Sequence, residues 1–215
     1  AQESARMKEF IVNFLPFWAP LAVFAILWIF LTIHRQFRLP ERAPDEVTAF
    51  LRHVEWNDTL EVFDLPRERY LRETLTEAQF RHTMRVRLHM AREYTARMAH
   101  NVRVVHEWAN TQTNGAWEKP LEACTDRERK LRAVATMAVE LRAFAAMRLA
   151  RLAVLTVLRA ELWPRPAIPS VAALRRCGVD GEFDLLDRYQ SFKQGCGEAA
   201  LSYSVRFHDE LLAGL

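Results

Sequence analysis

Thr76 to Thr111 reads TEAQFRHTMRVRLHMAREYTARMAHNVRVVHEWANT, and the order of its apolar residues decides the fold. Phe80, Met84, Leu88, Ala91, Thr95, Met98, Val102, Val105 and Ala109 step by four and three, which holds them on one side of an α-helix. A seam of that length is the spacing of a helix lying along a partner helix. Thr76 and Gln79 form a capping-box pattern at its start, and Thr113, Asn114 and Gly115 supply turn chemistry after its end. A helix is predicted over 76–111.

The partner lies directly downstream. Thr125 and Glu128 form a second capping box, Leu131, Val134, Ala138, Leu141, Ala145, Leu149, Leu152 and Thr156 make a second seam, and Pro164 supplies the stop. A helix over 126–163 follows, and the two form an antiparallel hairpin on the order of 50 Å long. Arg151, Arg159 and Glu161 exclude a membrane span at its apolar end. Arg148 and Arg159 lie near its apolar side and are expected to reach a carboxylate or the rim of an interface. Beyond Pro164, Pro166 and Pro169, Ser170 can cap a short helix over 170–177. A last helical segment over 182–213, in one piece or broken at Gly195 and Gly197, completes a bundle.

Upstream, Phe10 to Ile33 is a run of 24 residues without a charged side chain. At ~1.5 Å per residue it is long enough to cross a hydrocarbon core of about 30 Å. The fold class expected is all-α: one N-terminal transmembrane helix followed by a helical bundle built on the long antiparallel hairpin. The expected boundaries are a polar tail over 1–9, the span over 10–33, a connector with short helices over 34–75 and the bundle over 76–215. Within the connector, Val47, Phe50, Leu51 and Val54 mark one face of a short helix, and Pro66 opens another through Thr74. The run is too long for a cleaved signal and should persist as an anchor. Arg6 and Lys8 precede it, whereas Arg35, Arg38, Arg42 and Arg52 follow it. The positive-inside rule then puts the N-terminus outside and the bundle on the cytoplasmic face of the inner (plasma) membrane.

Inside the span, Asn13, Pro16 and Pro20 predict a kinked first half, and Trp18 and Trp28 are among seven aromatics. Ala19 and Ala22 would let a neighbouring helix approach. Together with Arg35 and Arg38 these are the candidate contacts with membrane lipid or with other integral membrane subunits; bound lipid, quinone or pigment is an alternative use of the aromatics.

Composition agrees with helices: Gly is low at 6 in 215 residues and charged residues make up 27%. A net charge of +3 does not argue for nucleic acid, and no nucleic-acid-binding module is present. Cys124, Cys177 and Cys196 form no metal or disulfide pattern. On the first long helix, His82, His89, Glu93, His100 and Glu107 share a polar stripe but lack the close spacing of metal ligands, so no metal or other cofactor is expected. Arg81, Arg85, Arg92 and Arg103 form a neighbouring stripe, either an ordinary solvated face or a surface for anionic headgroups or an acidic partner. No nucleophile elbow, P-loop or dinucleotide fingerprint occurs, and enzymatic activity is not expected.

His106-Glu107-Trp108-Ala109-Asn110-Thr111 resembles in part the phosphoacceptor box of sensor histidine kinases, which also join a membrane anchor to a helical hairpin. Ala109 stands where that box has a basic residue and Thr111 where it has Pro, and no Gly-rich ATP-binding domain follows. The resemblance implies a phosphoacceptor role for His106. The two functions to weigh are thus a single-pass accessory subunit that stabilises a larger membrane complex, an energy-transducing (respiratory or photosynthetic) one among the options, and a membrane-tethered signalling, phosphotransfer or scaffold hairpin.

Overall fold

The computed structural model describes residues 47–113, 116–161, 170–177 and 183–215. Among them are six α-helices: α1 (Trp56–Val62), α2 (Leu65–Thr74), α3 (Glu77–Gln112), α4 (Asp126–Glu161), α5 (Leu185–Leu201) and α6 (Val205–Gly214). One two-residue β pair, β1 (Arg176–Cys177) with β2 (Phe183–Asp184), accompanies them, so the described fold is all-α but for that pair. No described helix is long and apolar enough to cross a membrane, and the span predicted at 10–33 lies outside the described residues.

α3 and α4 form the expected hairpin. Every residue of the α3 seam is buried, from Phe80 to Ala109, as are Leu131, Val134, Ala138, Leu141, Ala145 and Leu152 of α4. Both capping boxes form: Thr76 N–H donates to Gln79 Oε1 at 3.2 Å, and Thr125 N–H donates to Glu128 Oε2 at 2.7 Å. Each such cap satisfies backbone donors that the first turn leaves without partners and stabilises by about 1 kcal/mol.

The remaining elements cover one face of the hairpin. α5 packs on α4 so closely that a Cβ on Gly195 would stand 2.6 Å from Met137 Cε. Tyr189 and Phe192 of α5 are fully buried there, each contributing roughly 2–3 kcal/mol of hydrophobic stabilisation. α6 sets Phe207 edge-on to Trp108 of α3, with ring centroids 5.4 Å apart.

Three expectations are corrected. Residues 170–177 do not form a helix: Ala172–Leu174 is a single 3-10 turn and β1 follows. Long-range ties override local propensity there, because Glu68 of α2 accepts from Val171 N–H at 3.0 Å and Ala172 N–H at 3.2 Å. The Arg175 guanidinium is then held by Asp184 and Asp187. The last segment breaks between Leu201 and Val205, where Ser204 caps α6 by accepting from Phe207 N–H; Gly195 and Gly197 lie inside α5 as close-packing positions. Finally, Val47 to Val54 is only a turn, Thr48–Phe50, followed by extended chain. Val47 and Val54 are buried while Phe50 is 48% exposed.

Candidate functional site

The buried polar side chains on the covered face hold chain segments together. Asn101, with no exposed surface, accepts from Arg52 N–H and donates to Arg52 O, both at 2.8 Å, and also reaches Tyr189 Oη at 3.2 Å. Tyr189 donates onward to Leu215 O at 3.0 Å. Burial drives the Tyr189 hydroxyl's pKa well above its ordinary value, so it stays a donor. Beside Asn101, Arg97 donates to His53 O, and His100 lies 2.9 Å from Phe50 O. Arg87 donates to the carbonyls of Glu61, Val62 and Asp64 at 2.7–3.2 Å, capping the C-terminal end of α1. Sequence patterning missed Asn101, Arg87 and Glu68. The available signal was polar residues flanking the α3 seam, at positions where a third layer would cover them.

Between α1, α2 and α3 is a groove of about 360 Å³, lined by Val62, Leu71, Val86 and Met90 with Asp58 and Arg67 on it. Arg67 is paired with Glu61 at 3.5 Å. The lining combines apolar contact with the charged side chains Asp58, Glu61, Arg67 and Arg87.

The opposite face of the hairpin is open. Arg81, Arg85, Arg92 and Arg103 are all exposed, and at ~100° per residue they fall within about 40° of one another. The structure therefore brings this predicted stripe onto one surface. Arg81 pairs with Glu77 at 3.4 Å and Arg103 with Glu107 at 3.6 Å; Arg85 and Arg92 make no ion pair or hydrogen bond among the described residues. α4 exposes Val139, Ala143, Ala146, Met147 and Ala150, with Val139 55% and Met147 58% accessible. Ala96 and Ala99 of α3 are partly exposed.

His106 bridges the two helices on this side. Arg142 Nη1 lies 2.8 Å from His106 Nδ1, and the Asn110 amide lies 3.1 Å from Nε2. A guanidinium only donates, so Nδ1 accepts and the neutral ring carries its proton on Nε2. The amide group facing Nε2 must then be the Asn110 oxygen. Burial, with the Arg142 charge adding to it, pushes the His106 pKa down to about 4. Phosphotransfer needs a free lone pair on the attacking nitrogen. Here one nitrogen is occupied by Arg142 and the other is an N–H bonded to Asn110, an arrangement that ties α3 to α4.

Among the described residues no group of three or more His, Cys, Asp or Glu side chains is placed to hold a metal ion. The polar stripe is divided among separate partners: Glu93 pairs with Arg97, Glu107 with Arg103, and His100 contacts Phe50 O. Cys124 and Cys196 are free and buried, and burial raises the Cys196 thiol pKa well above its ordinary value. The remaining predicted contacts, Asn13, Pro16, Trp18, Ala19, Pro20, Ala22, Trp28, Arg35 and Arg38, lie outside the described residues. Comparison with known protein families, curated proteins and solved structures finds no match for this chain.

Proposed function

We propose that this chain is a single-pass accessory subunit of a larger membrane protein complex, anchored through Phe10 to Ile33, with its bundle bracing the complex from the cytoplasmic face. The observation that carries the reading is the one-sided bundle. One face of the hairpin is covered by the chain itself; on the other, Arg85 and Arg92 make no ion pair among the described residues and α4 exposes an apolar stripe. Support also comes from the polar side chains of the covered face, which join segments of this chain rather than converging on a reaction centre. The charge-free run, its small Ala19 and Ala22, and the basic residues Arg35 and Arg38 after it support a helix that packs on other integral subunits and on lipid. The signalling alternative draws on the box around His106, and the neutral, doubly engaged ring weighs against it.

Purification of the full chain in mild detergent, followed by mass spectrometry, tests the proposal. Stoichiometric integral membrane partners are expected. Their loss on Ala22→Trp or Trp18→Asn, with the helical content of the bundle unchanged, assigns the anchor its role. Recovery of a lone homodimer refutes the proposal.

A further inference from the structure

Arg87 is a buried cation without a carboxylate partner. It is 7% exposed and forms no ion pair among the described residues, whereas buried charges are ordinarily paired. The carboxylates near enough to act on its charge are engaged elsewhere: Glu68 accepts from the Val171 and Ala172 amides, Asp64 caps α2 by accepting from Arg67 N–H, and Glu61 pairs with Arg67. Of the guanidinium nitrogens, Nη2 alone serves the carbonyls of Glu61, Val62 and Asp64. Nε is enclosed without a partner; Nη1 makes no hydrogen bond among the described residues and is not enclosed. Arg87 lines the groove between α1, α2 and α3, and Nη1 is the part of the guanidinium left to serve it.

Thr83 lines the same groove one turn earlier, and a helical side chain at position 87 leans back toward it. Its hydroxyl differs from those of other helical threonines. Thr59, Thr74, Thr95, Thr111 and Thr136 each donate to the carbonyl four residues back, but the Thr83 hydroxyl makes no hydrogen bond among the described residues. Past this pair of open donors the walls are apolar: Val86 and Met90 of α3, Val62 of α1 and Leu71 of α2, with Val86 47% exposed. Asp58 stands at the other end. Arg87 holds the C-terminal end of α1, whereas Asp58, one turn before Val62, acts on Tyr94, beyond Met90.

We propose that this groove binds a small apolar monocarboxylate, whose carboxylate accepts from Arg87 Nη1 and the Thr83 hydroxyl while its apolar body lies along Val86, Met90 and Leu71. The carboxylate supplies the anion that Arg87 lacks, and a hydrogen bond between two ionised groups is among the strong ones. Size limits the body: Thr83 to Met90 spans ~10.5 Å of helix. A volume of about 360 Å³ holds roughly a dozen heavy atoms at ~30 Å³ each. Charge limits the head. Asp58 and Glu61 line the groove with Arg67 and Arg87, so a doubly charged phosphate would meet two carboxylates with only the Arg87 charge unpaired, and a cation would meet both guanidinium groups. The inference concerns a different part of the bundle from the open face and does not depend on the accessory-subunit reading.

The test titrates the full chain, in nanodiscs of zwitterionic phosphatidylcholine, with octanoate carrying carbon-13 at its carboxyl carbon, and follows that carbon by NMR. Saturable binding of one octanoate per chain is expected. Octan-1-ol, which lacks the charge, and octyl phosphate, which carries more of it, should displace the label at least tenfold less well than unlabelled octanoate. Thr83→Val removes one hydrogen bond to an ionised group and should weaken binding about tenfold. Val86→Glu, at an exposed position, sets a carboxylate beside the apolar body and should weaken it at least as much. Arg87→Gln should abolish binding; if helical content shows that this variant has misfolded, Thr83→Val and Val86→Glu decide. Uptake that follows the amount of lipid and is indifferent to the substitutions is partition into the bilayer and overturns the inference. Equal displacement by octan-1-ol, a preference for octyl phosphate, or the absence of saturable binding overturns it as well.

Discussion

The His106 bridge gives a prediction whose sign and size both follow from the structure. The ring's ordinary pKa is 6.5, and burial together with Arg142 brings it to about 4. Between those values the unfolded chain takes up a proton that the folded chain refuses. This contribution to stability is therefore fully present above about pH 6.5 and is lost as pH falls toward about 4. At about 1.36 kcal/mol per tenfold change in proton affinity, the upper bound is roughly 3 kcal/mol. Only part of the ring is shielded from water, and solvent screening reduces the effect to about 1–2 kcal/mol. Denaturant unfolding of the full chain in detergent, followed by helical circular dichroism at pH 7 and pH 4.5, measures it. His106→Gln should remove that much of the pH dependence while leaving the rest, which comes from carboxylates such as Glu128, whose pKa is lowered to about 2 by the Thr125 backbone N–H, the Lys119 ammonium and the Thr125 side chain. Nitrogen NMR of the labelled ring should report the Nε2–H tautomer. A ring that titrates near its ordinary value, or a His106→Gln variant with an unchanged pH profile, would refute both the bridge and the tautomer.

Asn101→Leu keeps the volume but strands the Arg52 backbone groups, and an expected loss of about 3 kcal/mol should lower the denaturation midpoint without changing the helical signal of the folded state. Gly195→Ala should be near neutral or mildly destabilising, since its Cβ meets the flexible end of Met137. In a Met137→Ala background the same change should stabilise by about 1 kcal/mol, a coupling that a double-mutant cycle reads directly. Glu68→Gln keeps one acceptor oxygen for Val171 and Ala172 but removes the charge, and about 1 kcal/mol should be lost, with faster hydrogen exchange at those two amides.

How legible the fold was depended on how local its cause was. The hairpin could be read because its seams repeat every three to four residues and its capping boxes lie within four, so each signal is complete in a short window. The last segment was expected either in one piece or broken at Gly195 and Gly197, and it breaks instead after Leu201; in the structure Gly195 gives Met137 room, a reason that lies 58 positions away in the chain. The helix expected over 170–177 failed for the same kind of reason, because the Glu68 carboxylate that fixes Val171 is 103 residues distant. Of the candidate site, the arginine stripe was visible as a periodicity. Which arginines would find carboxylates was partly visible too: Arg81 and Arg103 each have a glutamate four residues away, whereas Arg85 and Arg92 have none. The α4 alanines from Ala143 to Ala150 could not be recognised as exposed until α5 was seen to occupy the other side of α4.

That the open face is small has a consequence for the proposed anchor. Partial burial of Val139 and Met147 with the neighbouring alanines would contribute only a few kcal/mol, at about 25 cal/mol per Å² of apolar surface covered. Association in solution costs from about 4 to more than 15 kcal/mol in lost translation and rotation, so a contact of this size would not persist between freely diffusing proteins. Confining both partners to one bilayer changes the arithmetic. Once a transmembrane helix is packed on the complex, docking of the bundle becomes an intramolecular step at an effective concentration on the order of millimolar. On this reading the charge-free run at Phe10 to Ile33 carries the association and the small open face of the hairpin only adds to it. Severing the chain between them should abolish association of the bundle even with every residue of the open face intact.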